Sequence, residues 1–344
     1  MNLFHRIALL RLSALGDVIL MVPVVRAIQR HFPEAQVTWL TGRPAYTLLE
    51  GLSGVEFIVI DKPRSINDYR QLHRELKSRK FDVLLAAQAS LRTNLIYPFI
   101  HAPIKVGFDA SRSRDGHGFF ISQRISARQE HLLEGFMQFA QALKVRDCSL
   151  TWDLPIAQSD WDWARQQLSQ RSGKWLAINP MASKRERNWP ISRYAELIRD
   201  AVARWQVNVV ITGGNGTEEK TFATQLIAMA GIPCFNCVGH SSLKQLAALL
   251  GSVDVLVSPD TGPVHLADAM GTAVVGLYAV ARPELSGPYR SSSLVVNVYP
   301  EAVATFLHRD PHTVPWGTRV HHRAAMSLIS VQSVMEKLAR VLCE

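Results

Sequence analysis

The apolar residues of the chain follow two periodicities that alternate along its length. Short continuous apolar runs predict buried strands, and segments with an apolar residue every three or four positions predict amphipathic helices. In the first half, strands are predicted at 6–12, 36–42, 56–61, 81–88 and 105–109, and helices at 17–33, 45–52 and 65–80. Pro23 lies inside the first helix and predicts a kink or a late start there. This alternation is typical of a parallel sheet covered by helices on both faces.

The alternation stops at 150–173, where a polar helix follows LTWDLPI, and then starts again. The second series predicts strands at 174–180, 207–214, 234–239, 253–258 and 273–278, and helices at 192–205, 218–231, 242–252 and 263–271. We therefore expect an α/β fold with two Rossmann-like, doubly wound domains. The expected divisions are an N-terminal domain at 1–157, a linker helix at 158–173, a C-terminal domain at 174–324 and a final helix at 325–344. The final helix could pack back on either domain, including the N-terminal one.

Length and composition agree with two globular domains, since 47% of the 344 residues are apolar and 19% are charged. The apolar runs are well short of the roughly 20 residues that a membrane-spanning helix needs. Arg11 and Asp17 interrupt the apolar N-terminus, and no small-residue cleavage site follows, so no signal peptide is expected. Cys148 and Cys343 are isolated, and Cys234-Phe-Asn-Cys237 is a lone CxxC without the further ligands that zinc needs. The two cysteines of the CxxC are therefore expected to be reduced, structural thiols. These features predict a cytoplasmic protein.

The net charge of +9 is concentrated in the first half of the chain. Residues 1–150 hold 20 Lys and Arg against 13 Asp and Glu, whereas residues 151–344 hold 18 against 16. A basic first half suits an anionic partner such as nucleic acid, a phosphorylated glycan or an anionic membrane surface. A solvated basic surface that keeps the protein soluble would give the same counts.

Asp17 stands where the first predicted strand passes through RLSALGD into a helix. One interpretation is structural, because an Asp at a helix N-terminus caps the chain and is stabilised by the helix dipole. The other is chemical: a carboxylate at the mouth of an interdomain cleft can act as a general base. The turn lacks the GxGxxG pattern of a dinucleotide-binding loop.

Two strand ends in the second half carry groups suited to a diphosphate. Ser183 and Arg187 belong to the cationic segment NPMASKRERNWP (179–190), which could donate charge-assisted hydrogen bonds or simply be an exposed loop. The segment SPDTGPVH (258–265) ends a strand and starts a helix, whose free N–H groups form an anion site. A capping Asp260 and a core His265 are the structural alternative for this segment.

Three further segments carry polar groups of interest. Glu218 follows the glycines of TGGNGTEEK (212–220), where a carboxylate could bind ribose hydroxyls or sit in a helix first turn. The loop GFDASRSRDGHGFF (107–120) is cationic and suits a phosphorylated acceptor, although a solvated loop explains it equally well. Asp160-Trp161-Asp162 has the form of a metal-binding DxD motif, but its place at the start of a polar helix favours capping.

Taken together, these segments resemble the bacterial lipopolysaccharide heptosyltransferases of glycosyltransferase family 9. The resemblance covers nearly the whole chain. It rests on RLSALGDVILMVPVVRAI (11–28), on the K/R-x-WP element Arg187-Asn188-Trp189-Pro190, and on SPDTGPVHLADAMGTAVVGLY (258–278). The tail from 299 to 329 is most similar to the heptosyltransferase I branch, which acts on phosphorylated Kdo. The resemblance implies a GT-B fold, in which two Rossmann-like domains face a central cleft.

The resemblance also implies roles for single residues. Asp17 matches the catalytic base. The donor-binding positions are Ser183, Arg187, Glu218, Ser241, Asp260, Thr261, Gly262 and His265, and Arg114 matches an acceptor-domain arginine. Arg112 and His117, on the same cationic loop as Arg114, and Ser13 are the further residues expected to bind the acceptor. Two departures stand out: Arg187 replaces a usual Lys, and Ala182 replaces a hydroxylated neighbour of Ser183. The carboxylate position could also fall one residue earlier, at Thr217.

The implied reaction is inverting transfer of heptose from ADP-heptose to the Kdo region of the inner core, with no metal and no other cofactor. The implied partners are ADP-heptose and Kdo–lipid A, with peripheral contact at the cytoplasmic face of the inner membrane and no nucleic acid. A nucleotide-sugar epimerase with the same architecture is one alternative. A basic nucleic-acid-binding module is another, although Trp and Tyr do not interleave with the basic clusters as stacking platforms do.

Overall fold

A computed structural model describes residues 4–61, 63, 65–169 and 171–343. The chain divides into two compact units, of which the first ends at Pro155 and the second begins at Ile156. Each unit is built around one six-stranded sheet. The predicted division at 157 therefore lies within two residues of the observed one.

The first unit has a parallel sheet with the strand order β3-β2-β1-β4-β5-β6. Its strands are β1 (Arg6–Leu10), β2 (Gln36–Gly42), β3 (Val55–Ile60), β4 (Val83–Ala86), β5 (Ile104–Gly107) and β6 (Gln123–Arg124). Its helices are α1 (Leu15–His31), α2 (Arg43–Leu49), α3 (Ile66–Leu76), α4 (Leu91–Asn94) and α5 (Leu132–Ala142), with short 3₁₀ turns at Tyr97–Phe99 and His117–Phe119.

The second unit repeats this topology with the order β12-β11-β10-β7-β8-β9, again all parallel. Its strands are β7 (Trp175–Ile178), β8 (Asn208–Ile211), β9 (Phe235–Asn236), β10 (Val255–Pro259), β11 (Ala273–Tyr278) and β12 (Val296–Asn297). Its helices are α6 (Gln158–Leu168), α7 (Ile191–Trp205), α8 (Thr217–Ala230), α9 (Leu243–Leu250), α10 (Gly262–Ala269), α11 (Pro283–Ser286), α12 (Tyr299–Leu307) and α13 (Val331–Leu342). Three 3₁₀ turns lie at Arg185–Arg187, Ser292–Leu294 and Ala325–Leu328.

The central strands are buried along their whole length, as continuous apolar runs predict. Every residue of β4, β7, β8 and β10 is buried, because helices cover both faces of each sheet. In both units the first strand in the chain pairs with the second on one side and with the fourth on the other. This is the doubly wound Rossmann order, so the predicted α/β fold class is confirmed.

Pro23 lies in the interior of α1, which runs without a late start from Leu15 to His31. Proline has no N–H, so the carbonyl of Ile19 four residues earlier loses its helical partner. The indole N–H of Trp152 donates to that carbonyl at 3.0 Å and replaces the missing bond. Two ion pairs, Arg26 with Asp153 and Arg30 with Asp147, bind the same returning segment to α1.

One prediction of organisation was wrong, and the structure settles one that the sequence had left open. The predicted linker helix is a helix of the second unit, because α6 buries Ala164 and Leu168 and packs against α9. Ala164 and Leu168 lie four residues apart on one helix face, and Trp161 extends that face against Gly251. The final helix α13 packs on α7 of the second unit rather than on the first, and its apolar face with Val334 joins the core of that unit.

Within the described residues, no helix combines the length and the apolar character that crossing a bilayer requires.

Candidate active site

Several sequence-predicted site residues follow the strands at which the strand order of each sheet reverses, whereas those on the 107–120 loop, Glu218 and Ser241 follow the neighbouring strands β5, β8 and β9. In the first unit this point is between β1 and β4, and in the second it is between β7 and β10. Ligands of doubly wound folds bind beyond the carboxyl ends of the strands at such points.

In the second unit, Arg187 and Asp260 contact each other across the reversal point. Arg187 follows β7 and Asp260 follows β10, yet Arg187 Nη1 lies 3.1 Å from Asp260 Oδ2 and donates to the Asp260 carbonyl at 3.0 Å. Their side chains are 15% and 13% exposed, so the pair is largely desolvated but still reachable from solvent. Arg187 Nε is buried without a partner among the described residues. This arrangement presents a fixed guanidinium at the strand ends.

The helix α10 begins directly after this pair. Thr261 is its N-cap residue with extended backbone, and its hydroxyl makes no capping hydrogen bond. The first N–H groups of an α-helix have no partner inside the helix, so they face outward at Thr261 and Gly262 with the positive end of the helix dipole. His265 is buried in this helix at 8% exposure. The combination of helix N-terminus and guanidinium can bind a phosphate or diphosphate.

The remaining loop around Arg187 is shaped by its own polar contacts. Asn188 Oδ1 accepts a hydrogen bond from the backbone N–H of Ala182 at 2.7 Å, which closes the segment on itself. Ser183 is exposed on this loop, as a ligand-binding hydroxyl requires. Trp189 is buried and donates to the carbonyl of Ile329 at 3.1 Å. The Trp of the K/R-x-WP element is thus a core residue that anchors the loop.

Glu218 and its neighbour Glu219 make different contacts at the start of α8. Glu219 accepts a hydrogen bond from the backbone N–H of Gly214 at 2.8 Å and so stabilises the turn before the helix. Glu218 instead pairs with Arg185 at 3.0 Å, and both line a cavity of about 660 Å³. Thr217, the alternative position, lines the same cavity. Ser241 lies partly exposed before α9, in the turn that follows β9.

In the first unit, Asp17 is held by Arg11. Asp17 is the third residue of α1, and its Oδ2 accepts hydrogen bonds from Arg11 Nη2 and, at 3.3 Å, from the backbone N–H of Ala14. The Arg11 guanidinium is fixed in turn by the carbonyl of Ala87 at 2.6 Å and lies over the ring of Phe136. The Asp17 side chain is 24% exposed. The predicted capping role is therefore present, and the carboxylate remains accessible to a substrate.

The turn before Asp17 is fixed to the end of β4. Gln88 Oε1 accepts from the backbone N–H groups of Leu12 at 2.7 Å and of Ser13 at 3.3 Å. Ser13 also lines a cavity of about 780 Å³ within the first unit, at the carboxyl ends of β1, β2 and β3. Asp61 and Arg43, which form an exposed ion pair at 2.7 Å, line the same cavity. Ser13 therefore adjoins a space large enough for a sugar.

The three residues predicted on the 107–120 loop have different surroundings. Arg112 pairs with Asp109 and donates to the carbonyl of Ser126 at 2.7 Å, so it holds the loop together. Burial raises the pKa of Asp109, but hydrogen bonds from Ser111 and Arg112 outweigh it and lower that pKa overall. Arg114 has an exposed side chain.

The prediction that His117 contacts an acceptor was wrong. His117 is fully buried, its Nε2 accepts from the backbone N–H of Phe108 at 3.3 Å, and its Nδ1 lies 3.0 Å from Asn94 Oδ1. Burial, with a smaller contribution from the charge of Arg124, lowers the pKa of His117 to about 4. The sequence of this glycine-rich loop did not predict that the side chain of His117 would be buried.

The DxD segment is occupied by structural contacts. Asp160 Oδ2 accepts from the backbone N–H of Ala157 at 3.3 Å at the start of α6. Asp162 pairs with Arg165 one turn later. These contacts agree with the capping interpretation of the segment.

Comparison with known proteins decides the family. The family described as Glycosyltransferase family 9 (heptosyltransferase) matches residues 69–312, which include every predicted donor-binding residue. A curated relative from Haemophilus influenzae, the lipopolysaccharide core heptosyltransferase OpsX, is 34% identical over 97% of this chain and 96% of its own length. The chain belongs to glycosyltransferase family 9. It is accordingly a glycosyltransferase, as the resemblance in the sequence predicted.

A second lipopolysaccharide heptosyltransferase shares less of its sequence with this chain. The lipopolysaccharide heptosyltransferase 1 of Salmonella typhimurium is 23% identical over 84% of this chain and 93% of its own length. The identity with OpsX is therefore higher than with this heptosyltransferase 1, which does not support the predicted heptosyltransferase I subgroup.

Solved structures of family 9 members share the fold. A glycosyl transferase family 9 structure from Veillonella parvula has a TM-score of 0.82 at 22% identity and covers 100% of this chain and 99% of its own. The Escherichia coli ADP-heptose heptosyltransferase II has a TM-score of 0.74 at 19% identity, with 98% of each chain covered. These similarities identify the GT-B fold class.

Two residues of this site were missed in the sequence. Arg11 contacts Asp17 and Gln88 contacts the turn before it. Arg11 begins the segment RLSALGD but was given no role there, and Gln88 follows a buried strand and belongs to no motif. A polar residue at the end of an apolar run, in a chain whose strands are otherwise apolar, is the only signal that could have found them. Asp17 itself lies outside the family-matched residues 69–312.

Proposed function

We propose that this glycosyltransferase transfers heptose from ADP-heptose to the Kdo region of the lipopolysaccharide inner core, with inversion and without a metal. The observation that carries the proposal is the match over 97% of the chain to OpsX, a lipopolysaccharide core heptosyltransferase. The choice of an ADP-linked donor is supported by WaaC, a heptosyltransferase of Escherichia coli whose structure has been solved with ADP. The acceptor we propose is Kdo–lipid A.

The donor diphosphate is assigned to the second unit. Arg187 would donate charge-assisted hydrogen bonds to it, and the free N–H groups of α10 near Thr261 and Gly262 would bind the remaining oxygens. Ser183 would add a hydroxyl donor from its exposed loop. Fixed donors aimed at the leaving ADP stabilise the charge that develops on it, which is why we propose that no metal is needed. Glu218 is assigned to the ribose hydroxyls because it lines the neighbouring cavity.

Asp17 is assigned as the general base. In the proposed reaction its carboxylate removes the proton of an acceptor hydroxyl while that oxygen attacks the anomeric carbon from the face opposite ADP. Attack from that face inverts the anomeric configuration. Arg114 and Ser13 would contact the anionic acceptor, and Arg112 would support them by holding the 107–120 loop. Because the acceptor is a lipid, we also propose peripheral contact with the cytoplasmic face of the inner membrane.

The deciding experiment uses the purified protein with ADP-heptose and Kdo–lipid A, with and without a phosphate on the Kdo. Mass analysis should detect a product heavier by one heptose, and ADP should appear in equal amount. Turnover of the donor without an acceptor would instead favour the epimerase. Salt-sensitive DNA binding without ADP binding would favour the nucleic-acid module.

A further inference from the structure

The first unit carries four exposed large apolar side chains on adjacent segments. They are Ile66 at 72% exposure, Leu91 at 60%, Leu95 at 44% and Phe119 at 92%. The other exposed large apolar side chains among the described residues are Met229 at 48% and Leu328 at 38%, both in the second unit. We call the four residues of the first unit the apolar cluster. Exposed apolar groups that gather in one place mark an interaction surface.

Hydrogen bonds join the segments that carry the apolar cluster. Tyr69 on α3 donates to the carbonyl of Arg92 on α4 at 3.4 Å, which places the Ile66 end of α3 beside α4. The backbone N–H of Leu91 donates to Asp115 Oδ2 at 2.9 Å. Asn94, between Leu91 and Leu95, bonds both His117 and the carbonyl of Asp115. The turn with Phe119 is therefore held against α4.

The surroundings of the apolar cluster are basic. Residues 65–124 contain ten Lys and Arg against five Asp and Glu, a surplus of 10 − 5 = 5 in a chain whose net charge is +9. Arg70, Arg74, Arg92 and Arg114 are all exposed on these segments. A basic rim around apolar side chains complements an anionic lipid surface, because the charges attract headgroups while the apolar groups enter the acyl boundary. Pairing with a second copy would bring two like-charged faces together.

We propose that the apolar cluster and its basic rim dock the enzyme on an anionic lipid bilayer, with Phe119 and Leu91 inserted below the headgroups. The proposal deepens the proposed function, because it places the membrane contact beside the base. Gln88 precedes α4 by three residues and bonds the turn at Leu12 and Ser13 that leads to Asp17. A lipid acceptor held in the same bilayer would therefore present its sugar near Asp17.

The test is vesicle flotation of the full chain without any substrate. The wild-type protein should float with vesicles of phosphatidylcholine and phosphatidylglycerol but not with phosphatidylcholine alone. Binding should weaken as salt is raised, since the Debye length falls from about 10 Å at 0.1 M to about 3 Å at 1 M. The double variant Leu91→Ser/Phe119→Ser should lose at least about tenfold in the partition coefficient.

A matched control is available in the second unit. The double variant Met229→Ser/Leu328→Ser removes the same kind of exposed side chain from the other unit and should bind vesicles as the wild type does. A charge variant, Arg70→Gln/Arg92→Gln, should reduce binding to anionic vesicles and flatten its salt dependence. Circular dichroism of each variant checks that folding is unchanged, which is expected because all replaced side chains are exposed.

The outcomes separate this proposal from the proposed function. The docking surface is wrong if the wild type does not float with anionic vesicles, if the control loses binding equally, or if only vesicles that contain Kdo–lipid A bind. The last result would make the cluster a site for one acceptor molecule. Transfer to acceptor dispersed in detergent tests the activity independently: it should be equal in wild type and Leu91→Ser/Phe119→Ser. Vesicle binding without any transfer would overturn the proposed function alone.

Discussion

Arg11 donates a hydrogen bond to Asp17 Oδ2 beyond the carboxyl end of β1, and the side chain of the arginine is only 11% exposed. The contact from Ala14 is made to the same oxygen. Oδ1 is therefore the oxygen that we expect to accept the proton of the acceptor. The carbonyl of Ala87 and the ring of Phe136 fix the guanidinium, so the orientation of Asp17 is set from within the first unit.

Replacing Asp17 by Ala should reduce kcat by about 10²- to 10⁴-fold, the usual contribution of a general base. The Kd for ADP should stay the same because the donor groups lie in the second unit. Single-turnover kinetics and calorimetric titration with ADP measure the two quantities. Asp160→Ala is the matched control, because Asp160 also accepts a bond at the start of a helix but has no proposed chemistry. A kcat of Asp17→Ala close to that of the wild type would show that Asp17 is not the general base.

Replacing Arg11 by Met should lower kcat while the KM for ADP-heptose changes little. The reason is that the carboxylate of Asp17 loses its fixed partner, whereas the donor site in the second unit is untouched. Arg11→Lys keeps the charge and should recover part of kcat, although it cannot reproduce the planar contacts of a guanidinium. Equal losses in the two variants together with a lower melting temperature would point to a purely structural role.

Replacing Arg187 by Ala should weaken ADP binding by at least about tenfold, because hydrogen bonds to charged groups contribute about 1.5–3 kcal/mol. Lys184→Ala removes an exposed cation from the same loop and should have little effect. Adding Asp260→Asn measures the coupling between the partners of the 3.1 Å ion pair in a double-mutant cycle. If Arg187→Ala and Lys184→Ala weaken ADP binding equally, the loop acts through its net charge, and the proposed direct contact of Arg187 with the diphosphate is wrong.

Glu218→Gln and Glu219→Gln form a second matched pair. The first should weaken ADP binding several-fold but leave binding of 2′,3′-dideoxy-ADP unchanged, since Glu218 is assigned to the ribose hydroxyls. The second should lower the melting temperature, because Glu219 holds the turn at Gly214. Gln keeps an amide oxygen that can accept a hydrogen bond, so either effect should be smaller than the roughly 1.5–3 kcal/mol that a full hydrogen bond to a charged group contributes. An equal effect of Glu218→Gln on both nucleotides would rule out the ribose contact.

The free energy of unfolding should fall as the pH is lowered from about 6.5 to about 4. The folded-state pKa of His117 is lowered from 6.5 to about 4 by burial, and secondarily by Arg124. Between these values the unfolded chain binds a proton that the folded chain does not, so acid favours unfolding. The contribution is at most about 3.5 kcal/mol, at about 1.4 kcal/mol per pKa unit.

Urea unfolding of His117→Gln across this pH range measures that contribution. The variant should show a shallower pH dependence than the wild type, whatever its stability at neutral pH. Leu95→Ser, which replaces an exposed side chain of the same unit without a titratable group, should keep the wild-type slope. Parallel slopes for wild type and His117→Gln would mean that His117 does not titrate differently on folding.

The hydrophobic pattern of the sequence predicts the alternating strands and helices of both units, because a strand buried on both faces must be apolar along its length. The strand β10 and the helix start at Thr261 follow directly from that pattern. Pattern fails at the sheet edges, where β6 and β12 have two residues each and carry too little periodicity to detect. For α6 the pattern predicts the helix but not its packing, because the polar composition hides a narrow apolar face at Ala164 and Leu168.

Side-chain placement at the site was predictable only in part. Motif spacing brought Arg187 and Asp260 to neighbouring strand ends, and the structure joins them. The contact between Arg11 and Asp17 depends on which way each side chain leaves its backbone, and spacing along the chain does not encode that direction. His117 was misjudged for a related reason, since a polar side chain is buried when internal partners such as Asn94 satisfy it.

The hydrogen bond from Trp152 to the carbonyl of Ile19 limits where a shortened version of the first unit can end. A fragment that ends before residue 147 would retain every strand of its sheet, but α1 would keep Pro23 without a donor for the carbonyl that the proline leaves open. It would also lose the two ion pairs that hold the helix from Asp147 and Asp153. Any minimal fragment, domain exchange or circular permutation of this unit should therefore carry the returning segment through Pro155.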